Sequence, residues 1–256
     1  MSLLDEDVKG VSSQSDRFKG QALNLTVGSR SFVSKSHPTI FEHAAWLQGV
    51  TLSTGIDELD QMLEGGVPRG KIIEITGATS SGKSSLSLSI LAQSTSRGEI
   101  AAYVDAVDSL DPKSAQAAGI DLERLLWVRC AKSNIHQLEP LRRALKAADI
   151  LCQAGGVGVI AIDIAGRLIN SKISLNNWFR LQRTLRGTPT VLMVISSQRT
   201  TGSASSLVLS LDRNRSLWTS GKRSRFIQKP YFQGMESEAC LMKGRSNGTV
   251  TVYCRF

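Results

Sequence analysis

Short apolar runs recur along this chain, each bounded by polar turns. "KIIEIT" (71–76), "EIAAYVD" (99–105), "LLWVR" (125–129), "VGVIAID" (157–163) and "TVLMVI" (190–195) are the clearest. Near-continuous apolar character suits strands buried on both faces of a parallel sheet. Between these runs the spacing turns helical. In "PLRRALKAADILCQAG", Leu141, Leu145, Ala148 and Cys152 share one face, as do Trp178, Leu181 and Leu185 in "NNWFRLQRTLRG". An earlier helix is predicted in "LSTGIDELDQML" from Ile56, Leu59 and Leu63, with Ser53 or Thr54 placed to cap it, and "EGGVPRG" breaks it. Alternating strands and helices argue an α/β fold with a doubly wound sheet. Toward the C-terminus, "SSLVLSL", "EACLMKG" and "GTVTVYC" alternate in period two, and Asn247-Gly248 signals a tight turn between the last two. The sheet is therefore expected to be mostly parallel, with antiparallel strands at its C-terminal edge. Residues 1–37 are polar, serine-rich and aperiodic and read as a flexible arm; "PTIFEHAAWLQGV" (38–50) is more apolar and reads as a docking helix or strand.

Composition narrows the classes. No run of about 18 apolar residues is present, so no membrane span is expected. The N-terminus "MSLLDEDVKG" is acidic and lacks the apolar stretch of a secretory signal. Cys130, Cys152, Cys240 and Cys254 are far apart, with no C-x-x-C pair and no histidine at ligand spacing, so a zinc site is not expected and the cysteines read as reduced thiols of a cytoplasmic protein. The net charge of +9 is uneven: residues 212–256 hold nine Lys/Arg against three acids, a net +6. Such a patch suits nucleic acid or an acidic partner, or is simply a solvated surface.

"EITGATSSGKSSLSLSI" (74–90) carries the strongest chemical signal. Gly77, Ala78, Thr79, Ser80, Ser81, Gly82, Lys83 and Ser84 form Gly-x-x-x-x-Gly-Lys-Ser between a predicted strand and a predicted helix. The glycines let the backbone wrap closely, so that N–H groups converge on phosphate, and the helix adds its positive end. Lys83 is expected at the β- and γ-phosphates, and the Ser84 hydroxyl on Mg2+. "SSLSLSI" alternates like a strand, but the loop requires a helix behind it. Asp163 ends an apolar strand, where an acid beside Mg2+ orders its water shell; a strand-end cap is the plain alternative. The motif implies a nucleotide polyphosphate with Mg2+.

With these residues in view, the chain resembles the RecA recombinase family. "LSTGIDELDQMLEGGVPRGKIIEITGATSSGKSSL", "YVDAVDSLDP" followed by "AGIDLERLLWVR", and "VISSQRTTG" carry the likeness, over about residues 52–256 and most specifically in the first half. The resemblance implies a RecA-like ATP-binding core over 38–211, with 212–256 as a basic β extension of the same domain. It implies that residues 77–85, ending in Ser85, hold phosphate and that Asp163 is the metal-side acid. Asp111 would lie near the adenine, and Gln198, or else Ser197, would sense the γ-phosphate. Lys243 and Arg245 match a Lys-x-Lys pair that reaches a neighbouring subunit's nucleotide in that family; read bottom-up they are two cations beside a hairpin. The family's water-orienting carboxylate falls on Val107, which cannot polarise water. Asp108, one residue on, is a candidate substitute, although neighbouring strand side chains point oppositely. Hydrolysis is therefore expected to be slow.

The two family loops that read single-stranded DNA are shortened here, to "IAGRLINSKISLNNW" and "RTTGSAS". Contact with single strands falls instead to the basic tail, where Trp218, Phe226, Tyr231 and Phe232 interleave with Arg and Lys; those aromatics also suit a core or a partner-docking patch. The profile is most similar to the ImuA group of SOS translesion-synthesis accessory proteins. That implies an ATP-switched accessory of DNA repair, with self-association or a RecA-type filament end, and DNA polymerase accessory proteins, as partners. The alternatives are a DNA-dependent ATPase or recombinase, and a RecA-core ATPase unrelated to DNA. ATP turnover with and without single-stranded DNA separates them.

Overall fold

In the computed structural model, which describes residues 51–130, 138–166, 173–218, 232–244 and 248–255, the apolar runs become neighbouring strands of one sheet. The expectations for residues 1–50, Arg245, Phe226, Tyr231 and the turn at Asn247 lie outside those residues. After a short strand β1 (Thr51–Leu52) and helix α1 (Asp57–Met62) come β2 (Val67–Pro68), β3 (Ile72–Gly77), α2 (Lys83–Ser96), β4 (Ile100–Asp105) and α3 (Pro112–Ala117). Then follow β5 (Leu125–Arg129), α4 (Leu138–Ala154), β6 (Val157–Asp163), α5 (Leu175–Leu185), β7 (Val191–Ser196), β8 (Leu207–Trp218), β9 (Phe232–Lys243) and β10 (Thr249–Arg255). The main sheet runs β10-β9-β8-β3-β7-β6-β4-β5. Strands β3 to β8 pair in parallel, while β8–β9 and β9–β10 pair antiparallel. This is the mixed α/β architecture that the sequence pattern predicts.

Two apolar layers enclose the sheet. On one face Ile73 and Ile75 of β3, Met193 of β7 and Ala161 of β6 pack with Leu86, Ile90 and Leu91 of α2. On the other, Ile160, Ile162, Leu192 and Val194 meet Leu141 and Ala148 of α4 and Trp178, Leu181 and Leu185 of α5. Those helical residues are the ones that share a face in the sequence. Each fully buried large side chain contributes about 1.5–3 kcal/mol by leaving water.

One local expectation is corrected. Helix α1 starts after Ile56, which makes no side-chain cap. Ser53 and Thr54 instead donate to the carboxylate of Asp60 inside the helix, at 2.6 and 2.7 Å, so the acid gathers the preceding turn. Strand β8 runs unbroken through positions 211 and 212, where the sequence suggests the core giving way to its extension. Its first half is buried, whereas residues 212–216 are exposed, so that stretch of the β8–β9 ribbon is open to solvent along β8.

Candidate nucleotide-binding site

The C-terminal ends of β3, β4, β6 and β7 converge where this sheet's order departs from chain order, the crevice in which open α/β sheets bind ligands. The loop after β3 is built from its backbone. Gly82 adopts φ +91° immediately before α2, a conformation that glycine takes without steric cost. At Gly77 the demand is space: a Cβ would lie 2.3 Å from Ser81 Oγ and 2.5 Å from the Leu211 carbonyl. Ser80 is held at φ +60°, one of three non-glycine residues with positive φ among the described residues, and such strain collects at functional sites. Ala78, Thr79, Ser80 and Ser84 face solvent, and Ser85 is half-buried.

Lys83 is buried and its Nζ donates to the Ala78 carbonyl at 2.9 Å. Burial lowers its pKa, and the Asp163 carboxylate nearby opposes that shift. Ser81 Oγ is buried with no hydrogen-bond partner, an orphaned polar atom inside the loop. A buried ammonium, an unpartnered hydroxyl and a glycine-shaped backbone at a helix start fit a polyphosphate. The exposed Ser84 hydroxyl and the Asp163 carboxylate are hard oxygen donors of the kind Mg2+ takes.

Asp163 is almost fully buried and firmly held. Tyr103 Oη and Ser109 Oγ donate to its Oδ2 at 2.8 and 2.7 Å, and the Ala165 amide donates to Oδ1 at 2.9 Å. Burial first, then the Asp163 charge, push the Tyr103 phenol far above its ordinary pKa, so it stays a donor. Directly across the ladder stands Asp105, a fully buried acid absent from the sequence expectations. It accepts from the amides of Val107, Ser109 and Leu110 at 3.0–3.2 Å and from Trp127 Nε1 at 3.2 Å. Asp105 thus shapes the loop carrying Val107, and Val107 is half-buried within it.

The neighbouring candidates are placed differently from one another. Asp108 is exposed and held in a two-point fork by Arg129, at 2.7 and 2.8 Å, and that guanidinium keeps its carboxyl below the usual range. Asp111 caps α3, accepting from the amides of Lys113 and Ser114 and from Ser114 Oγ. Gln198 is exposed just beyond β7, and Ser197 Oγ accepts from the Gly166 amide at 3.3 Å. Lys243 lies on its own chain's turn, donating to the carbonyls of Ser203 (3.1 Å) and Ser205; burial, then Arg199, lower its pKa. At the ribbon end Trp218 and Phe232 are exposed and meet edge to face with centroids 5.4 Å apart.

Sequence reasoning also missed Glu74, which is wholly buried on β3. Its Oε1 accepts from Ser196 Oγ (3.2 Å) and from the amide and hydroxyl of Thr200 (2.6 and 2.8 Å). Its Oε2 accepts from the amide (3.2 Å) and hydroxyl of Thr201. The signal was a lone acid inside "KIIEIT", an otherwise apolar strand.

A family model described as the RecA N-terminal domain matches residues 35–177. Protein RecA of Synechococcus elongatus is 38% identical over 153 residues, covering 59% of this chain and 40% of that protein. Protein RecA of Blastochloris viridis is 35% identical over 155 residues, covering 60% and 42%. The chain thus spans about two fifths of the length of the curated relatives it matches. Among solved structures, the crystal structure of the RadB recombinase superposes with a TM-score of 0.55 at 19% identity, covering 80% of this chain and 96% of that one, a likeness of fold.

Proposed function

We propose that this chain, which belongs to the RecA N-terminal domain family, holds ATP with Mg2+ as a conformational switch and hydrolyses it weakly, as an accessory of DNA repair. The observation that carries the reading is the loop over residues 77–85: Lys83 buried beside Asp163, with the unpartnered Ser81 hydroxyl and the start of α2 in the same loop. In this reading Lys83 neutralises the outer phosphates, Ser84 and Asp163 hold Mg2+, and Tyr103 and Ser109 fix the orientation of Asp163. Bound Mg2+ would supply charge neutralisation across the β- and γ-phosphates. Gln198 or Ser197 would meet the γ-phosphate, and Asp111 would lie toward the base while it caps α3.

Weak hydrolysis follows from the loop after β4. Val107 offers no proton acceptor, and Asp108 is engaged by Arg129 at the surface. The basic charge and the exposed Trp218–Phe232 pair support contact with single-stranded DNA, by phosphate neutralisation and base stacking. A role beside a translesion polymerase in the cytoplasm, as in the ImuA group, suits a RecA-like core that switches without rapid turnover. ATP turnover with and without single-stranded DNA tests the reading. Slow turnover with tight ATP binding is expected. Fast DNA-stimulated turnover would favour a recombinase, and no DNA binding at low salt would favour a core unrelated to DNA.

A further inference from the structure

Glu74 occupies a place where the β3 pattern calls for an apolar side chain, and no lysine or arginine among the described residues forms an ion pair with it. A buried carboxylate is costly unless hydrogen bonds compensate it, and here five donors do. All five come from residues 196, 200 and 201, at and after the end of β7. The far side of the same turn is tethered separately. Gln182 Nε2 of α5 donates to the Ala204 carbonyl at 3.0 Å, Lys243 donates to Ser203 and Ser205, and the Ser206 amide returns to the Ile72 carbonyl at 2.9 Å. The near side depends on Glu74. Three residues further along β3, Gly77 opens the phosphate loop.

We propose that Glu74 is a positioning residue: it locks the near side of the 197–206 turn and thereby sets how the end of β7 meets the third phosphate of a nucleotide. One strand would then carry both the phosphate loop and the anchor of the segment that distinguishes triphosphate from diphosphate. The inference rests on the nucleotide-binding reading above. A glutamine at 74 keeps the shape and one acceptor oxygen but turns an NH2 group toward half of the donors. A hydroxyl can rotate to accept from it; a backbone amide cannot.

The test compares affinities of the full chain for ADP and for a non-hydrolysable ATP analogue, both with Mg2+, in wild type, Glu74→Gln and Thr201→Val. Glu74→Gln is expected to leave ADP affinity within about twofold and to reduce the preference for triphosphate at least about fivefold, the lower end of typical coupling between sites. Amide exchange at residues 200 and 201 should quicken without nucleotide, while the β3 and β7 amides stay protected. Thr201→Val, which keeps the carboxylate and removes one donor, should shift the preference in the same direction by less; if Glu74→Gln does not fold, this variant decides. An unchanged preference, or equal loss for both nucleotides, would mean that Glu74 serves stability alone and would overturn the inference. So would a wild type that binds the two equally. A wild type that binds neither overturns the binding reading itself, and the coupling with it.

Discussion

At position 107 a valine amide donates to Asp105 while its side chain sits half-buried where the family resemblance places a water-orienting acid. Because Asp105 already shapes the loop, Val107→Glu is expected to raise ATP turnover without disturbing the fold, measured as phosphate release. An unchanged rate would show that another group limits the step. Lys83 has the opposite dependence. Lys83→Ala removes the buried cation of the loop and is expected to abolish measurable ATP binding by calorimetry; retained affinity would refute the phosphate reading. Burial and the nearby Asp149 raise the Cys152 thiol to about 12, so at neutral pH it is protonated and inert. Thiol-specific alkylation of the native protein is expected to spare Cys152 and buried Cys130, and to label them after unfolding.

At the scale of elements, the sequence was most readable where a segment's partners are dictated by its own pattern. Strands buried on both faces have to be apolar throughout, and β3, β4, β6 and β7 read that way. Helix α2 was less legible because its serines mimic strand alternation; Ser87 is buried and donates back to the Ser84 carbonyl, a bond available only once the helix exists. The capping of α1 was misread because Asp60 lies inside the helix and reaches backward. In the site, Lys83 and Asp163 were legible from local motif and strand end. Glu74 was not, since its partners lie in a turn 122–127 residues away; Asp105 was not, since its local amide bonds form only once the loop after β4 folds back on it, and Trp127 is brought to it by the neighbouring strand. Helix α3 gives a test at this scale: Asp111→Ala removes its cap and is expected to lower Tm by a few degrees, whereas Asp111→Asn, a comparable cap, should not. Weaker ATP binding in the asparagine variant would point to a second role near the base.

Across the whole molecule, charge and shape are segregated. Residues 212–256 carry most of the excess positive charge, and the exposed half of β8 presents part of it to solvent. Single-stranded DNA binding is therefore expected to weaken steeply with salt, and Trp218→Ala should weaken it by about 1–3 kcal/mol if a base stacks there. Fluorescence titration at several ionic strengths reads both; binding indifferent to salt would remove the ribbon from the interface. The turn after β7 has a thermodynamic consequence of its own. A long disordered DNA loop surrenders conformational entropy when a ligand orders it, and leaves a large negative heat-capacity change as its record. A segment already fastened to β3, α5 and β9 has little disorder left to surrender, so at this turn a ligand would meet a surface prepared in advance, its heat of binding varying only gently with temperature.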